Sequence, residues 1–457
     1  MNLPSYFIAD LPPEAELTPT MIREACETLK RNRESYLRDR STADLIRVLS
    51  EVGENWMQPD YPFRRLALEK SPKETGFPPA TLARGLDSFF GQLTRPNLQG
   101  LVVQDLGHRQ RLDEMVTLGD RSEIPAAMAC GPELTAIIAP GNVPASAWMS
   151  LTLGWLVRSA QFLKCARGTS LLTRLFAHSI HEVEPKLACC VEIAEWAGGE
   201  RRLEDPLFEA ADCVTATGSD EMLAELRGRL PARIKFLGYG HRVSFGFVAE
   251  EVLVGAGARQ AVRRAVDDVV AWNQQGCLSP HVIFVQTGGA ITAELFAEML
   301  AAELEEREKL EPRGPIPLEE AALIANRRDF YRIRERAPRD LDLRTHLWCS
   351  TESTNWTVVY EGDARFQMSC LNRFIYVKGV MDLTDALHQS DVVRGRVSTV
   401  GIAAHEETAK DLAQQLARWG VTRVCPLGRM QQPPLTWRHD GRPALSNLVT
   451  WTDWEKQ

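Results

Sequence analysis

Short apolar runs, broken by glycine, proline and asparagine, alternate along this chain with longer stretches whose apolar positions recur at helical spacing. TAIIA (135–139) leads into a Pro-Gly-Asn-Val-Pro interruption and then into PASAWMSLTLGWLVRSA (144–160), which predicts a strand, a turn and a helix. The same alternation predicts strands at FLKCA (162–166), CVTAT (213–217) and RIKFL (233–237). Farther on it predicts a helix over ARQAVRRAVDDVVAWNQQ (258–275) and a strand at HVIFVQ (281–286). Two charged helices follow, ITAELFAEMLAAELEEREKL (291–310) and LEEAALIANRRDFYRIRERA (318–337), separated by the breaker EPRGPIP (311–317). Further strands are expected at FIYVKG (374–379), STVGIAA (398–404) and TRVCPLG (422–428). Pro19 after Thr18, and Ser41 before TADLIRVL, read as helix starts, so the chain up to about residue 110 is expected to be a mainly helical lead-in. The whole is an α/β pattern with no repeat of fixed period.

Charge and composition narrow the classes. The 53 Lys+Arg against 61 Asp+Glu leave a formal net charge of -8, which disfavours a nucleic-acid partner held by its phosphates. Residues 134–157 carry no charged side chain and have the length of a membrane span, but Pro140, Gly141, Asn142 and Pro144 interrupt them, so no span is expected. The N-terminus has neither a basic region nor an apolar stretch of signal-peptide length. The ten cysteines are scattered without a CxxC pair, which reads as a reducing, cytoplasmic setting. ELEEREKLE reads as a solvated helix face.

Three segments could carry chemistry. Cys277, in WNQQGCLSPHVIFV, falls between a predicted helix and a predicted strand, where a thiol would be exposed and a helix end or backbone N–H groups could favour the thiolate; the competing reading is a small buried residue. In IIAPGNVPASAW (137–148) the strand breaks at Pro140-Gly141, leaving Asn142 at its carboxyl end, either as an oxyanion donor or bonded to its own turn. FLKCARGTS places Lys164 and Arg167 after one strand, and VTATGSDEM places Gly218 and Ser219 after another; together they suggest a dinucleotide cradle without a GxGxxG motif. His281 could pair with Cys277, but Pro280 and the strand start favour a structural role, as the adjoining loop does for His241. His178 and His181 share a helix face near Cys189-Cys190, yet no metal is expected.

The order APGNVP, LKCARG, TATGSDE, GYGHR and QQGCLSP resembles the aldehyde dehydrogenase superfamily. It is most similar to the acyl-CoA reductase branch, typified by the reductase of the bacterial luminescence fatty-acid reductase complex. The resemblance runs from about residue 130 to the end, including PLGRMQQPPLTWRHDG (426–441) and the final WTDWE. It implies an aldehyde-dehydrogenase-like α/β fold: a Rossmann-type NADP-binding domain over 1–246, a catalytic domain over 247–425, an oligomerisation arm over 112–134, and an oligomerisation and return segment over 426–457.

The resemblance also implies roles. Cys277 is similar to the acylated nucleophile, Asn142 to the oxyanion donor acting with the Cys277 backbone N–H, and Lys164 to the ribose-binding lysine. Ser219 after Gly218 is similar to the residue meeting the pyrophosphate, and Pro140 and Gly141 belong to the same cofactor turn. Arg167 stands where NAD-preferring relatives often carry an acid, which favours NADPH as cofactor. The segments similar to those that carry glutamates in hydrolytic relatives, IKFLGYGHR and QMSCLNRF, contain no carboxylate, which suits a thioester that survives to be reduced. The implied activity is NADPH-dependent reduction of a fatty acyl-CoA to the aldehyde through an acyl-cysteine, by a homo-oligomer that could receive its acyl group from a carrier or an acyl-protein synthetase partner. An acyl-handling transferase, an acyl-phosphate reductase using the same cysteine and a non-catalytic scaffold are the alternatives.

Overall fold

The computed structural model describes residues 3–12, 14–117, 125–336 and 344–455. The chain divides into two units: the first comprises residues 1–75, 84–241 and 434–457, the second 76–83 and 242–433.

In the first unit the strands are β1 (Ala126–Cys130), β2 (Leu134–Ile138), β3 (Ala160–Cys165), β4 (Val191–Glu195), β5 (Cys213–Thr217) and β6 (Lys235–Tyr239). Strands β2 to β6 form one parallel sheet in the order β4-β3-β2-β5-β6. The order reverses between β2 and β5, so the loops leaving the carboxyl ends of these neighbours flank a switch-point crevice, the usual ligand site of open α/β sheets. Of these strands, β2 and β3 are buried at every position; β2 reads in sequence as a mostly apolar run, whereas β3 buries Gln161 and Lys164 among its apolar residues.

The lead-in is helical, with Pro19–Tyr36, Thr42–Met57, Pro62–Thr75, Pro79–Phe90 and Arg95–Leu106. Thr18 and Ser41 cap the first two, their hydroxyls accepting the Met21 and Asp44 N–H groups at 3.2 Å. Ile22, Cys26 and Leu29 of the first helix pack in one core with Leu134, Ala136 and Phe162 of the sheet, so this helix covers a sheet face.

The second unit holds β7 (Val243–Val248), β8 (Pro280–Gln286), β9 (Thr345–Cys349), β10 (Thr357–Glu361), β11 (Phe374–Val380), β12 (Val397–Ala403) and β13 (Arg423–Pro426). They form a seven-stranded sheet in the order β13-β12-β7-β8-β11-β10-β9, parallel throughout except for the antiparallel β9 at one edge. The helices Gly255–Val270 and Ala293–Leu310 pack their apolar stripes on one face with Ile283, Val285, Val358 and Val377. On the other, Ile324 and Tyr331 of the helix Leu318–Arg336 join Phe245, Phe284 and Tyr376.

Several elements differ from the sequence expectation. The helix starting at Ala145 ends at Leu156, because Arg158 enters the left-handed region at φ 58 and turns the chain into β3. Strand β6 starts at Lys235, after a turn in which the Ile234 N–H bonds the Pro231 carbonyl. The helix expected to reach Gln275 stops at Val270. The unit break falls after His241 instead of 246, because β7 is paired along its length with β12 and β8 of the second sheet. The later break falls after Pro433 instead of 425, and residues 76–83 join the second unit.

Part of the expected arm over 112–134, residues 118–124, lies outside the described residues. Its described part contains β1, which pairs antiparallel with β14 (Thr450–Trp454), and the Val116–Ala127 bridge extends that ribbon. Among the described residues, no helix is long and apolar enough to cross a membrane.

Candidate active site

Cysteine chemistry depends on ionisation and access, and the ten thiols differ sharply in access. Burial pushes Cys26, Cys165, Cys190, Cys213 and Cys425 up to about 12, which leaves them inert at neutral pH. Cys277 is exposed, as are Cys130 and Cys189. What distinguishes Cys277 is the backbone that carries it.

The amphipathic helix Gly255–Val270 is followed, after Ala271, by three successive left-handed residues: Trp272 (φ 50), Asn273 (φ 49) and Gln274 (φ 63). Such a run costs roughly 1–2 kcal/mol per residue for non-glycine side chains and persists only where the surroundings over-determine it. Trp272 is pinned edge-on against Phe77 at 5.2 Å. Asn273 and Gln274 are buried, and their carboxamides donate to the Arg313 carbonyl at 2.8 Å and the Pro280 carbonyl at 2.7 Å.

The loop that follows is held at three further points. Ser244 of β7 donates to the Cys277 carbonyl at 2.8 Å and accepts the Thr399 N–H at 3.1 Å. It sits where the register of β7 slips against β8, a local irregularity of the kind that re-aims a chain beside a functional group. The Ser279 N–H bonds the Gly276 carbonyl at 2.9 Å, and Gln431 donates to the Ser279 hydroxyl at 2.6 Å. A Cβ at Gly276 would lie 2.5 Å from Gln431 Nε2, so any side chain there must displace the end of Gln431. Cys277 thus presents its thiol at the amino-terminal edge of the second sheet, just ahead of β8.

The segment bearing Gln431 is itself fixed from below. Asp268 accepts the Gly428 and Met430 N–H groups at 2.5 and 2.8 Å, while Arg423 donates to the Met430 and Arg429 carbonyls at 2.6 and 2.9 Å. Burial lowers the Arg423 guanidinium from its ordinary value; the charges of Cys425, Asp268 and Cys277 act against that, so an attractive cation lies within electrostatic reach of the thiol. His281 lies on β8, where its Nδ1 accepts the Ser369 N–H at 3.1 Å and meets the Ser369 hydroxyl at 3.0 Å.

In the first unit, the predicted residues gather at the carboxyl ends of the strands. Pro140, Gly141 and Asn142 follow β2 and line a cavity of about 60 Å³ with Glu74 and Cys165. The Asn142 side-chain oxygen accepts the Val143 N–H at 2.8 Å, which is the turn-bonded reading. Lys164, at the end of β3, is buried; desolvation lowers its ammonium from its ordinary value against the pull of Glu204, Cys165 and Glu195. Arg167 is exposed in the next turn. Gly218 and Ser219 follow β5, on the opposite side of the switch point from Asn142, and the Ser219 hydroxyl caps the helix Asp220–Arg229 by accepting the Met222 N–H at 3.2 Å.

Sequence reasoning passed over several of these groups. Glu195, at the end of the neighbouring β4, accepts the Gly168 N–H and so shapes the turn that carries Arg167. Asp220 accepts the His241 N–H at 3.0 Å, which brings a carboxylate to the GYGHR turn that lacks one in its own sequence. Ser244, Gln431 and Arg423 were equally invisible, because each acts on a loop far from it in sequence. His178 bonds Asp10 at 3.0 Å among Tyr6, Phe7 and Phe63 rings. Among the described residues, no group of three or more His, Cys, Asp or Glu side chains is placed to hold a metal ion.

The first unit's strand ends offer a dinucleotide a desolvated ammonium, Lys164, and, across the switch point, a helix start whose free N–H groups favour an anion against the Asp220 and Glu221 carboxylates of its first turn.

Comparisons with known proteins agree with this architecture. The fold is similar to that of a proline utilization A protein of Bradyrhizobium japonicum, with a TM-score of 0.72 and 16% identity, covering 96% of this chain and 45% of that one; the chain thus spans about half the length of such proteins. It is similar over more of the partner's length to a putative aldehyde dehydrogenase of Anabaena variabilis, with a TM-score of 0.69 and 16% identity over 96% of this chain and 93% of that one. Aldehyde dehydrogenase 21 of Physcomitrella patens gives a TM-score of 0.70 at 13% identity, covering 96% and 90%. A long-chain acyl-protein thioester reductase of Vibrio harveyi is 20% identical over 434 residues, covering 92% of this chain and 84% of that protein. Residues 37–451 match the family described as acyl-CoA reductase (LuxC), which is nearly the whole chain, so this protein belongs to that family and is built on the aldehyde dehydrogenase fold.

Proposed function

We propose that this protein reduces a fatty acyl-CoA thioester to the aldehyde with NADPH, through an acyl group held on Cys277. The observation that carries the reading is the exposed Cys277 thiol on a loop clamped by Ser244, Gln431 and a strained left-handed turn, in a chain of the acyl-CoA reductase family.

The Cys277 thiolate adds to the thioester carbonyl, the coenzyme A thiolate leaves, and a new thioester links the acyl group to the enzyme. The Cys277 backbone N–H takes the role of an oxyanion donor, the role the resemblance also gives Asn142, an interaction of roughly 3–4 kcal/mol in comparable sites. Lys164 holds ribose hydroxyls, Ser219 with Gly218, Pro140 and Gly141 accommodates the pyrophosphate, and Arg167 pairs with the 2′-phosphate that distinguishes NADPH. When bound, the dihydronicotinamide supplies the hydride that the acyl carbon receives. The thiohemiacetal on Cys277 then expels the aldehyde and regenerates the thiolate. The exposed Trp451 and Trp454 on the β1–β14 ribbon support its role as a pairing arm between copies of the chain.

The test is NADPH oxidation with a panel of acyl-CoA chain lengths and with the aldehyde trapped, beside Cys277→Ala. Thioester-dependent oxidation that the variant lacks is expected; turnover retained by Cys277→Ala overturns the reading. A second reading rests on the Vibrio harveyi relative, whose name gives an acyl-protein as its substrate: here the acyl group would arrive on a protein thiol. An acyl-protein donor that supports turnover where every acyl-CoA fails decides for it.

A further inference from the structure

The left-handed turn ahead of Cys277 has a counterpart about a hundred residues later. Leu371 (φ 58), Asn372 (φ 53) and Arg373 (φ 65) form a second run of three left-handed residues, immediately before β11. Each run closes on itself in the same way, with the Gln275 N–H on the Trp272 carbonyl at 2.9 Å and the Phe374 N–H on the Leu371 carbonyl at 3.0 Å.

The two turns are bonded to each other side chain by side chain. Arg373 Nε donates to Asn273 Oδ1 at 3.1 Å, Gln274 Nε2 donates to the Phe374 carbonyl at 2.8 Å, and Gln275 Nε2 donates to Asn372 Oδ1 at 3.1 Å. The second turn is in turn anchored to helices: Arg373 Nη1 lies 2.7 Å from both Glu308 Oε2 and the Glu311 carbonyl, and Asn372 Nδ2 lies 2.7 Å from Glu320 Oε2. Arg373 and Gln274 are fully buried, so these bonds are made in a dry setting where planar geometry is enforced.

A chain could join a helix to β8 without three unfavourable residues. Strain kept at a loop that carries an exposed thiol, and held by bonds from one other strained loop, points to position as its use. We propose that the 371–373 turn is the positioning element for Cys277, acting through the Gln275–Asn372 and Asn273–Arg373 bonds to set where the thiol stands. None of these four residues needs to touch substrate. The inference rests on Cys277 being the reactive thiol of the proposed function, but its test does not require the acyl donor to be known.

The experiment uses the full chain with Gln275→Ala, Asn372→Ala and the double variant. Three quantities are measured: the rate of Cys277 alkylation by iodoacetamide across pH, single-turnover acylation by acyl-CoA, and the urea midpoint. Each single variant is expected to slow acylation about ten- to a hundredfold, the effect of roughly an ångström of misplacement, with NADPH affinity unchanged. The double variant is expected to be slowed by clearly less than the product of the two singles, because both remove the shared Gln275–Asn372 bond. Wild-type rates in the single variants, or slowing that multiplies in the double, overturn the proposal.

If Asn372→Ala does not fold, Gln275→Met decides by itself, since it keeps the length of a half-buried side chain and removes the donor without placing a charge beside the thiol. Slowed alkylation at a wild-type midpoint supports the positioning role, and an unchanged rate overturns it. If wild-type protein is alkylated at Cys277 but accepts no acyl-CoA, it is the choice of acyl donor that fails, and the alkylation rates still decide this inference.

Discussion

Gly276 leaves little room for a side chain beside Cys277, and Gly276→Ala tests that contact directly. The added Cβ would stand 2.5 Å from Gln431 Nε2 and 2.8 Å from Gln431 Oε1, about 1 Å inside the 3.4 Å at which ordinary contact begins. Gln431 cannot yield freely, because its Nε2 donates to Ser279 Oγ at 2.6 Å. Retreat by about 1 Å stretches that bond to the limit of a hydrogen bond and forfeits roughly 1 kcal/mol of stability. If the loop moves in place of Gln431, the same displacement falls on Cys277, and misplacement by about 1 Å costs up to about a hundredfold in rate. Gly276→Ala is therefore expected to slow iodoacetamide labelling and acylation of Cys277 by about ten- to a hundredfold while lowering the urea midpoint only modestly. Adding Gln431→Ala opens the space, so the double variant should be no slower than Gln431→Ala by itself. Wild-type labelling by Gly276→Ala, or a double variant slower than both singles, refutes the account of this contact.

Other perturbations read other parts of the molecule. Ser244→Ala removes the acceptor of the buried Thr399 N–H and the donor to the Cys277 carbonyl, so a loss of about 1–3 kcal/mol in urea unfolding is expected, with slower labelling of Cys277; an unchanged midpoint contradicts it. Arg167→Glu should raise KM for NADPH at least about tenfold relative to NADH, with Cys277 acylation unaffected, and an unaltered cofactor ratio rules out Arg167 as the 2′-phosphate partner. Glu192 is held at about 7 by burial, against the Ile8 and Ile193 N–H bonds it accepts. Because that lies above its unfolded value of about 4.3, its contribution to stability is fully present below pH ~4.3 and is lost as pH rises through 7. Glu192→Gln should therefore gain on the wild type by a few kcal/mol, on the order of 3, between those limits, seen as urea midpoints that diverge with pH; parallel midpoints would show that the carboxyl is not neutral in the fold.

The sequence by itself determined the alternation of strands and helices, because strands such as β2 are buried at every position and are written as short, mostly apolar runs between stretches of helical spacing. It also marked Thr18 and Ser41 as caps, and Cys277, Asn142, Lys164 and Ser219 as candidates, since turn chemistry and strand ends are local features. It could not supply the order of the strands. That order makes β2 and β5 neighbours and brings Pro140–Asn142 and Gly218–Ser219, far apart in sequence, to one crevice. Nor could it end the helix at Val270, because WNQQ continues the helical spacing and nothing nearby forbids it. The break depends on Arg373, Asn372 and Phe374, about a hundred residues away, whose bonds to Asn273, Gln275 and Gln274 outweigh local helical preference and hold a strained turn. Ser244 and Gln431 act on the Cys277 loop across the same kind of distance. Local spacing records what a residue does to its own segment. The setting of the thiol is made by residues acting on other segments, and those partnerships exist only once the second sheet has assembled.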